Sequence, residues 1–196
     1  MKQLNASFVC LALFFLSFTS SAQLKFPVSN NGLRNDLQKV LADLPNQFSS
    51  LKGDIIIENP QSIEYASLIK FSGAEDNTIT QYIANKPIYS WQATMITTED
   101  YDEAVKKYKW LTGQLKGMTI RLQNDYTLNL NGPMENPNEG KKFCSTNYRL
   151  IPNASNLPKL KVEVSMQFYF PEWKVNLTVY QKEREDNERG PIEEEK

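Results

Sequence analysis

The chemistry open to this chain is limited first by a residue it lacks: among its 196 residues there is no histidine. Without imidazole there is no Ser-His-Asp or Cys-His nucleophile, no HExxH zinc site and no His-ligated iron or copper within one chain. Catalysis would fall to carboxylates, a lysine, a tyrosine or an oxygen-ligated metal. Two carboxylates can act as acid and base in a glycosidase-like site, and the pool is Glu58, Glu64, Glu99, Asp100, Asp102, Glu103, Asp125, Glu135 and Glu139. No spacing selects two of them. The acids from Glu99 to Glu103 suit the positive end of a helix, and the others fall in turns, where acidic residues are ordinary. The DxDxDG pattern of a calcium loop and the glycine motifs that cradle phosphate are both missing, so no catalytic residue, metal site or cofactor is expected.

Binding chemistry has better material. Trp110 lies two residues beyond Tyr108 in a helical pattern, about 200° around the axis from it, and so away from that helix's apolar stripe. Lys106, Lys107, Lys109 and Gln114 surround it in sequence. A large aromatic among basic and amide side chains is the composition of an interface hot spot or a stacking platform, the alternative being a tryptophan packed under a loop. Lys141 and Lys142 add positive charge in a later loop. Cys144 follows them closely, and nearby positive charge would favour its thiolate, although a buried and inert thiol is the commoner fate of a free cysteine. The candidate binding set is therefore Trp110, Lys106, Lys107, Gln114, Lys141 and Lys142.

Two helices and a series of strands must position these residues. Leu33, Leu37, Val40, Leu41, Leu44, Phe48 and Leu51 fall on one helical stripe that Pro45 kinks or breaks, with Gly53 as the stop. Extended segments are expected over 54–57, 65–71, 78–84 and 88–97, separated by Asn59-Pro60, the segment 73–77 and Lys86-Pro87. A second helix starts near Asp100, carries Tyr101, Ala104, Val105, Tyr108, Leu111 and Leu115 on one stripe, and ends at Gly117. Extended segments follow over 118–123, 126–130 and 148–151. From Leu160 to Phe170 apolar and polar residues alternate without a miss; Pro171-Glu172 turns the chain, and Trp173, Val175, Leu177 and Val179 alternate again, which predicts a hairpin.

The two helices superpose at an offset of 64 residues, Leu37 on Tyr101 and Gly53 on Gly117 among others, and each is followed by strands. This predicts an α+β fold of two consecutive helix-plus-antiparallel-sheet units, an internal duplication, with a first unit over 23–98 and a second over 99–181 carrying an inserted loop at 131–147. A helix followed by an antiparallel sheet, given twice, resembles the beta-lactamase inhibitor proteins and, for one unit, cystatin-like folds. The resemblance is one of topology only and transfers no residue.

The termini carry a different kind of information. Lys2, an apolar run from Phe8 to Phe18 and the small residues Ser20-Ser21-Ala22 make a signal peptide over 1–22, so the protein is expected to be secreted or periplasmic, with cleavage after Ala22. Cys144 is then the only cysteine left, and no internal disulfide can form. Removing Lys2 leaves 21 basic against 23 acidic residues, which gives no electrostatic reason to bind nucleic acid. Of the last 15 residues 11 are charged, the composition of a disordered tail over 182–196. No later stretch is apolar enough to span a bilayer as a helix. The function expected is that of an exported, non-catalytic binding or interaction protein, in its sharper form an inhibitor-like one, acting on a protein or small ligand. The alternatives are an exported carboxylate-dependent hydrolase and a self-associating structural protein, a homo-oligomer joined through the hairpin that begins at Leu160.

Overall fold

The computed structural model describes residues 30–84, 87–122, 127–151 and 160–181. The signal segment 1–22 and the charged tail 182–196 lie outside the described residues. Helix α1, Asn30–Asp43, buries Leu33, Leu37, Val40 and Leu41 completely, the stripe its spacing dictates. Pro45 has no N–H to continue an α-helical ladder, and a 3-10 turn over Leu44–Asn46 takes its place. Asp43 steadies that reversal: its carboxylate accepts from the Ser50 N–H and the Asn46 amide. Helix α2, Tyr101–Leu115, begins on an Asp100 cap that accepts from the N–H groups of Asp102 and Glu103. It is followed by Gly117 in the left-handed region, at φ 71°.

The strands are β1 (Lys52–Asn59), β2 (Ser62–Ser67), β3 (Asp76–Tyr82), β4 (Ile88–Thr98), β5 (Thr119–Arg121), β6 (Thr127–Asn131), β7 (Phe143–Ile151), β8 (Leu160–Tyr169) and β9 (Glu172–Gln181). They form one nine-stranded antiparallel sheet in the order β1-β2-β3-β4-β9-β8-β7-β6-β5. The hairpin expected from the unbroken alternation is β8 with β9, from Leu160 opposite Gln181 to Tyr169 opposite Glu172.

The expected pair of helix-plus-sheet units is corrected here. β4 and β9, the closing strands of the two units, pair directly with each other from Ser90 opposite Tyr180 to Thr98 opposite Trp173, and a single apolar core joins both helices to the sheet. The topological likeness to beta-lactamase inhibitor proteins and cystatin-like folds rested on those units and falls with them. The reason is physical: in separate sheets both strands would leave a row of backbone donors and acceptors unpaired beside a hydrophobic face, and joining them satisfies both rows. Alternation reports which side chains face the core but not which strand lies alongside. The expected insertion at 131–147 is also shorter than its composition suggests, because β7 begins at Phe143.

Side chains of alternate residues give the sheet two different faces. One carries Tyr65, Ile79, Trp91, Val162, Val164, Leu177, Val179, Tyr148 and Leu130, packed in the core with the helices. The other is polar, with Thr78, Gln92, Thr178, Glu163 and Asn147 in one cross-strand row and Thr94, Asn176, Ser165 and Ser145 in the next. Among the described residues no helix is long and apolar enough to cross a membrane.

Candidate functional site

Trp110 is half-buried and packs against the core, with the Lys107 ammonium 5.2 Å from its ring centroid and 3.4 Å from the Gly73 carbonyl oxygen. Lys106 is exposed and Gln114 half-buried on the same helix. Lys141 and Lys142, both exposed, lie on the loop before β7 and have partners of their own: Lys141 reaches Glu135 at 3.5 Å, and Lys142 stands 5.6 Å from the Phe168 ring centroid. The aromatic that was to project from α2 thus has much of its surface in the fold. Cys144 is buried, and burial pushes its thiol pKa up, so the basic neighbours do not make it a thiolate.

The loop between β6 and β7 is built with more care than its composition announces. At Gly132 the backbone passes so close to β7 that a Cβ there would lie 2.3 Å from the Asn147 carbonyl oxygen. Beyond it Glu135 is held at three points: its N–H donates to Thr146 Oγ1, its carbonyl accepts from the Tyr108 hydroxyl, and its carboxylate accepts from the Ser145 N–H. Thr146 and Tyr108 are themselves 2.7 Å apart, which closes a ring of hydrogen bonds beneath the loop. Burial raises the Tyr108 pKa, keeping the hydroxyl protonated as this ring requires. Tyr148 donates to the Thr112 carbonyl oxygen at 2.8 Å, pinning β7 to α2.

This loop walls one side of a cleft of about 800 Å³. Its other walls come from β7 and the start of β8, and its polar lining includes Asn131, Glu135, Ser145, Asn147, Arg149 and Lys161. Asn131 is opposite Arg149 in the β6-β7 ladder, and Lys161 is opposite Tyr180 in the β8-β9 ladder. One step beyond the Tyr148-Val162 pair, Arg149 and Lys161 occupy neighbouring places on adjacent strands, both on the polar face. Like charges set side by side across a ladder repel. Among the described residues neither has an ion-pair partner; the carboxylate in the lining, Glu135, is already bound to the Ser145 N–H and near Lys141. The cleft therefore carries positive charge next to amide and hydroxyl groups.

The polar face continues beyond the cleft. Tyr180 donates to Glu163 at 3.0 Å; burial, with the charge of Glu163, pushes its pKa up to about 12. Asn176, nine-tenths buried in the middle of the face, has an Oδ1 without a hydrogen-bond partner among the described residues. No two carboxylates line the cleft together, and among the described residues no group of three or more Cys, Asp or Glu side chains could hold a metal.

Compared with family models, curated proteins and solved structures, the chain matches none of them. Arg149 and Lys161 were missed from sequence. Each stands as the one basic residue within an apolar-polar alternation, Tyr148-Arg149-Leu150 and Leu160-Lys161-Val162, which marks them as outward-facing; that they meet is a property of the strand pairing.

Proposed function

We propose that this is an exported, non-catalytic binding protein whose ligand carries a carboxylate or phosphate group and occupies the cleft on the polar face of the sheet. The observation that carries this reading is the pair Arg149 and Lys161, two adjacent cations in a cleft of about 800 Å³ with no carboxylate partner among the described residues. An oxyanion between them would turn a repulsion into two charge-assisted hydrogen bonds, with the guanidinium able to bind it through two parallel N–H groups. Asn131, Asn147 and Ser145 supply neutral donors and acceptors for the rest of a polar ligand. The lining is fixed on strands and on a loop tied to α2, so little ordering is needed when a ligand arrives. The carboxylate-hydrolase alternative has less support, since its two acidic groups do not meet in this cleft.

Isothermal titration with citrate, inorganic phosphate and maltose tests the reading. The protein should bind at least one of the two anions and not the neutral sugar, with affinity falling as salt is raised, and the doubly substituted Arg149→Ala, Lys161→Ala protein should lose at least about tenfold, one charge-assisted bond being worth roughly 1.5–3 kcal/mol. Anion binding that survives both substitutions, or no binding of either anion, would overturn it.

A further inference from the structure

The loop that walls the cleft runs alongside β7. Asn131 is opposite Arg149 in the ladder, Gly132 passes against the backbone of Asn147 and Tyr148, and one carboxylate oxygen of Glu135 accepts from the Ser145 N–H at 3.1 Å. Ser145, Asn147 and Arg149 are alternate residues of β7 and share its polar face. The cleft therefore has two chemically different ends. One holds the Glu135 carboxylate beside Ser145; the other holds Arg149 with Lys161, and the Asn147 amide lies between them on the strand. Ser145 and Arg149 are four steps apart, which at about 3.4 Å per residue separates the two ends by roughly 13 Å.

The acidic end is fixed by the fold. The Glu135 N–H donates to Thr146 Oγ1 and its carbonyl accepts from the Tyr108 hydroxyl, so the backbone that carries the carboxylate is tied to β7 and α2. Its other carboxylate oxygen has Lys141 as partner at 3.5 Å, in a pair whose side chains are 64% exposed for the lysine and 41% for the glutamate. An ion pair this open to water contributes little, so the ammonium of a ligand can replace that of Lys141 at small cost.

A ligand that satisfies both ends is a zwitterion with its charges roughly 13 Å apart, the span of an extended peptide of about four residues. Such a peptide carries an ammonium at one terminus and a carboxylate at the other, and its peptide groups match the donor and acceptor of the Asn147 amide. Pro133, Met134 and Ile151 add apolar surface to the lining for its side chains. We propose that the oxyanion held by Arg149 and Lys161 is the C-terminal carboxylate of a short extended peptide, about four residues long, whose free amino terminus pairs with Glu135. The peptide lies over β7 and runs in the same direction as that strand. The proposal rests on the anion-binding reading of the cleft and gives it a ligand class.

Isothermal titration of the purified protein with tetra-alanine, N-acetyl-tetra-alanine, tetra-alanine amide and dialanine tests this, with citrate and phosphate titrated alongside. Tetra-alanine should bind, and capping either terminus should weaken it at least about tenfold, because one charge-assisted contact is lost in each case. Dialanine, with about half the span, should lose as much because it cannot reach both ends. Glu135→Gln keeps an acceptor for the Ser145 N–H; it should remove the preference for the free amine and still bind citrate or phosphate at least as tightly as the wild type does. The comparisons among ligands use the unaltered chain, so they decide the matter even if the variant fails to fold. Citrate or phosphate binding without tetra-alanine binding, or tetra-alanine binding not weakened by capping, by shortening or by Glu135→Gln, would overturn the peptide assignment and leave the anion reading standing. Failure of both anions to bind would overturn the anion reading and the peptide assignment with it.

Discussion

The two faces of the sheet are made from alternate residues of the same nine strands, yet they serve different purposes. Along β4, Trp91 and Ala93 are fully buried in the core while Gln92 and Thr94, one step along from each, belong to the polar rows of the other face. Trp91 packs against Phe71 with ring centroids 5.4 Å apart and the planes tilted at 59°, and it donates its indole N–H to Ser67, so even the polar atom on the covered side is used within the fold. On the polar side groups are left over: among the described residues Arg149 and Lys161 have no carboxylate and Asn176 Oδ1 has no donor. Arg149 and Lys161 lie together in the cleft and Asn176 lies beyond it, so the groups left over are all on the face to which the proposed ligand site belongs.

Substitutions along β4 should expose this contrast most strongly. Trp91→Ala removes a fully buried side chain with its ring contact and is expected to cost about 3–5 kcal/mol, read as a fall in the urea midpoint, whereas Gln92→Ala, one residue away, should stay within about 0.5 kcal/mol. An equal cost at both positions would mean that the polar face also belongs to the core.

Gly132→Ala should come next. Its Cβ would meet the Asn147 carbonyl oxygen at 2.3 Å, a backbone atom that cannot turn aside, so either loop or strand must move. We expect a loss of about 1–3 kcal/mol together with weakened anion binding, since Glu135 and the cleft wall shift with the loop. A destabilised protein that binds as before would show that the loop does not shape the site.

Alkaline titration compares the faces through their tyrosines. Tyr108 and Tyr148, packed where α2 meets the sheet, and Tyr180, on the polar face, all have pKa values above the ordinary 10, chiefly through burial, and for Tyr180 the folded value is about 12. A raised folded pKa gives stability that is complete below pH 10 and lost as pH rises through 12, because the unfolded chain releases its protons first. Denaturant midpoints should begin to fall gently above about pH 8.5, where the thiol of unfolded Cys144 ionises first, and more steeply above pH 10 as the tyrosines do. Tyr180→Phe should reduce that fall, and no change in slope would contradict the burial assigned to Tyr180.

Asn176→Thr should have the smallest effect, a gain of about 1 kcal/mol, because it removes an acceptor without a donor and suits a central strand better. If the substitution destabilises instead, Asn176 has a partner that the described residues do not include.

Much of the local structure was legible. Pro45 stops α1, Asp100 caps α2, Gly117 follows its end, and the alternation from Leu160 to Val179 is the β8-β9 hairpin. Each of these is decided by residues close together in the chain. The assembly was not legible, because β4 and β9 are joined across a long stretch of sequence and their pairing depends on which edges remain unsatisfied. The start of β7 was hidden because 131–147, rich in Asn, Gly and Pro, reads as a loop, while the register that continues β7 down to Phe143 is imposed by β8. The cleft was hidden for the same reason: Trp110 is conspicuous as a residue type, whereas Arg149 and Lys161 come together only once two strands lie side by side.

The most direct test of binding at the polar face is to map where an oxyanion lands. Proton-nitrogen correlation spectra recorded during a citrate or phosphate titration should show shifts centred on the amides of Asn131, Ser145, Asn147, Arg149 and Lys161, with the α2 amides around Trp110 unmoved. Shifts centred on Trp110 and Lys106, or no localised shifts at all, would contradict the assignment of binding to the polar face.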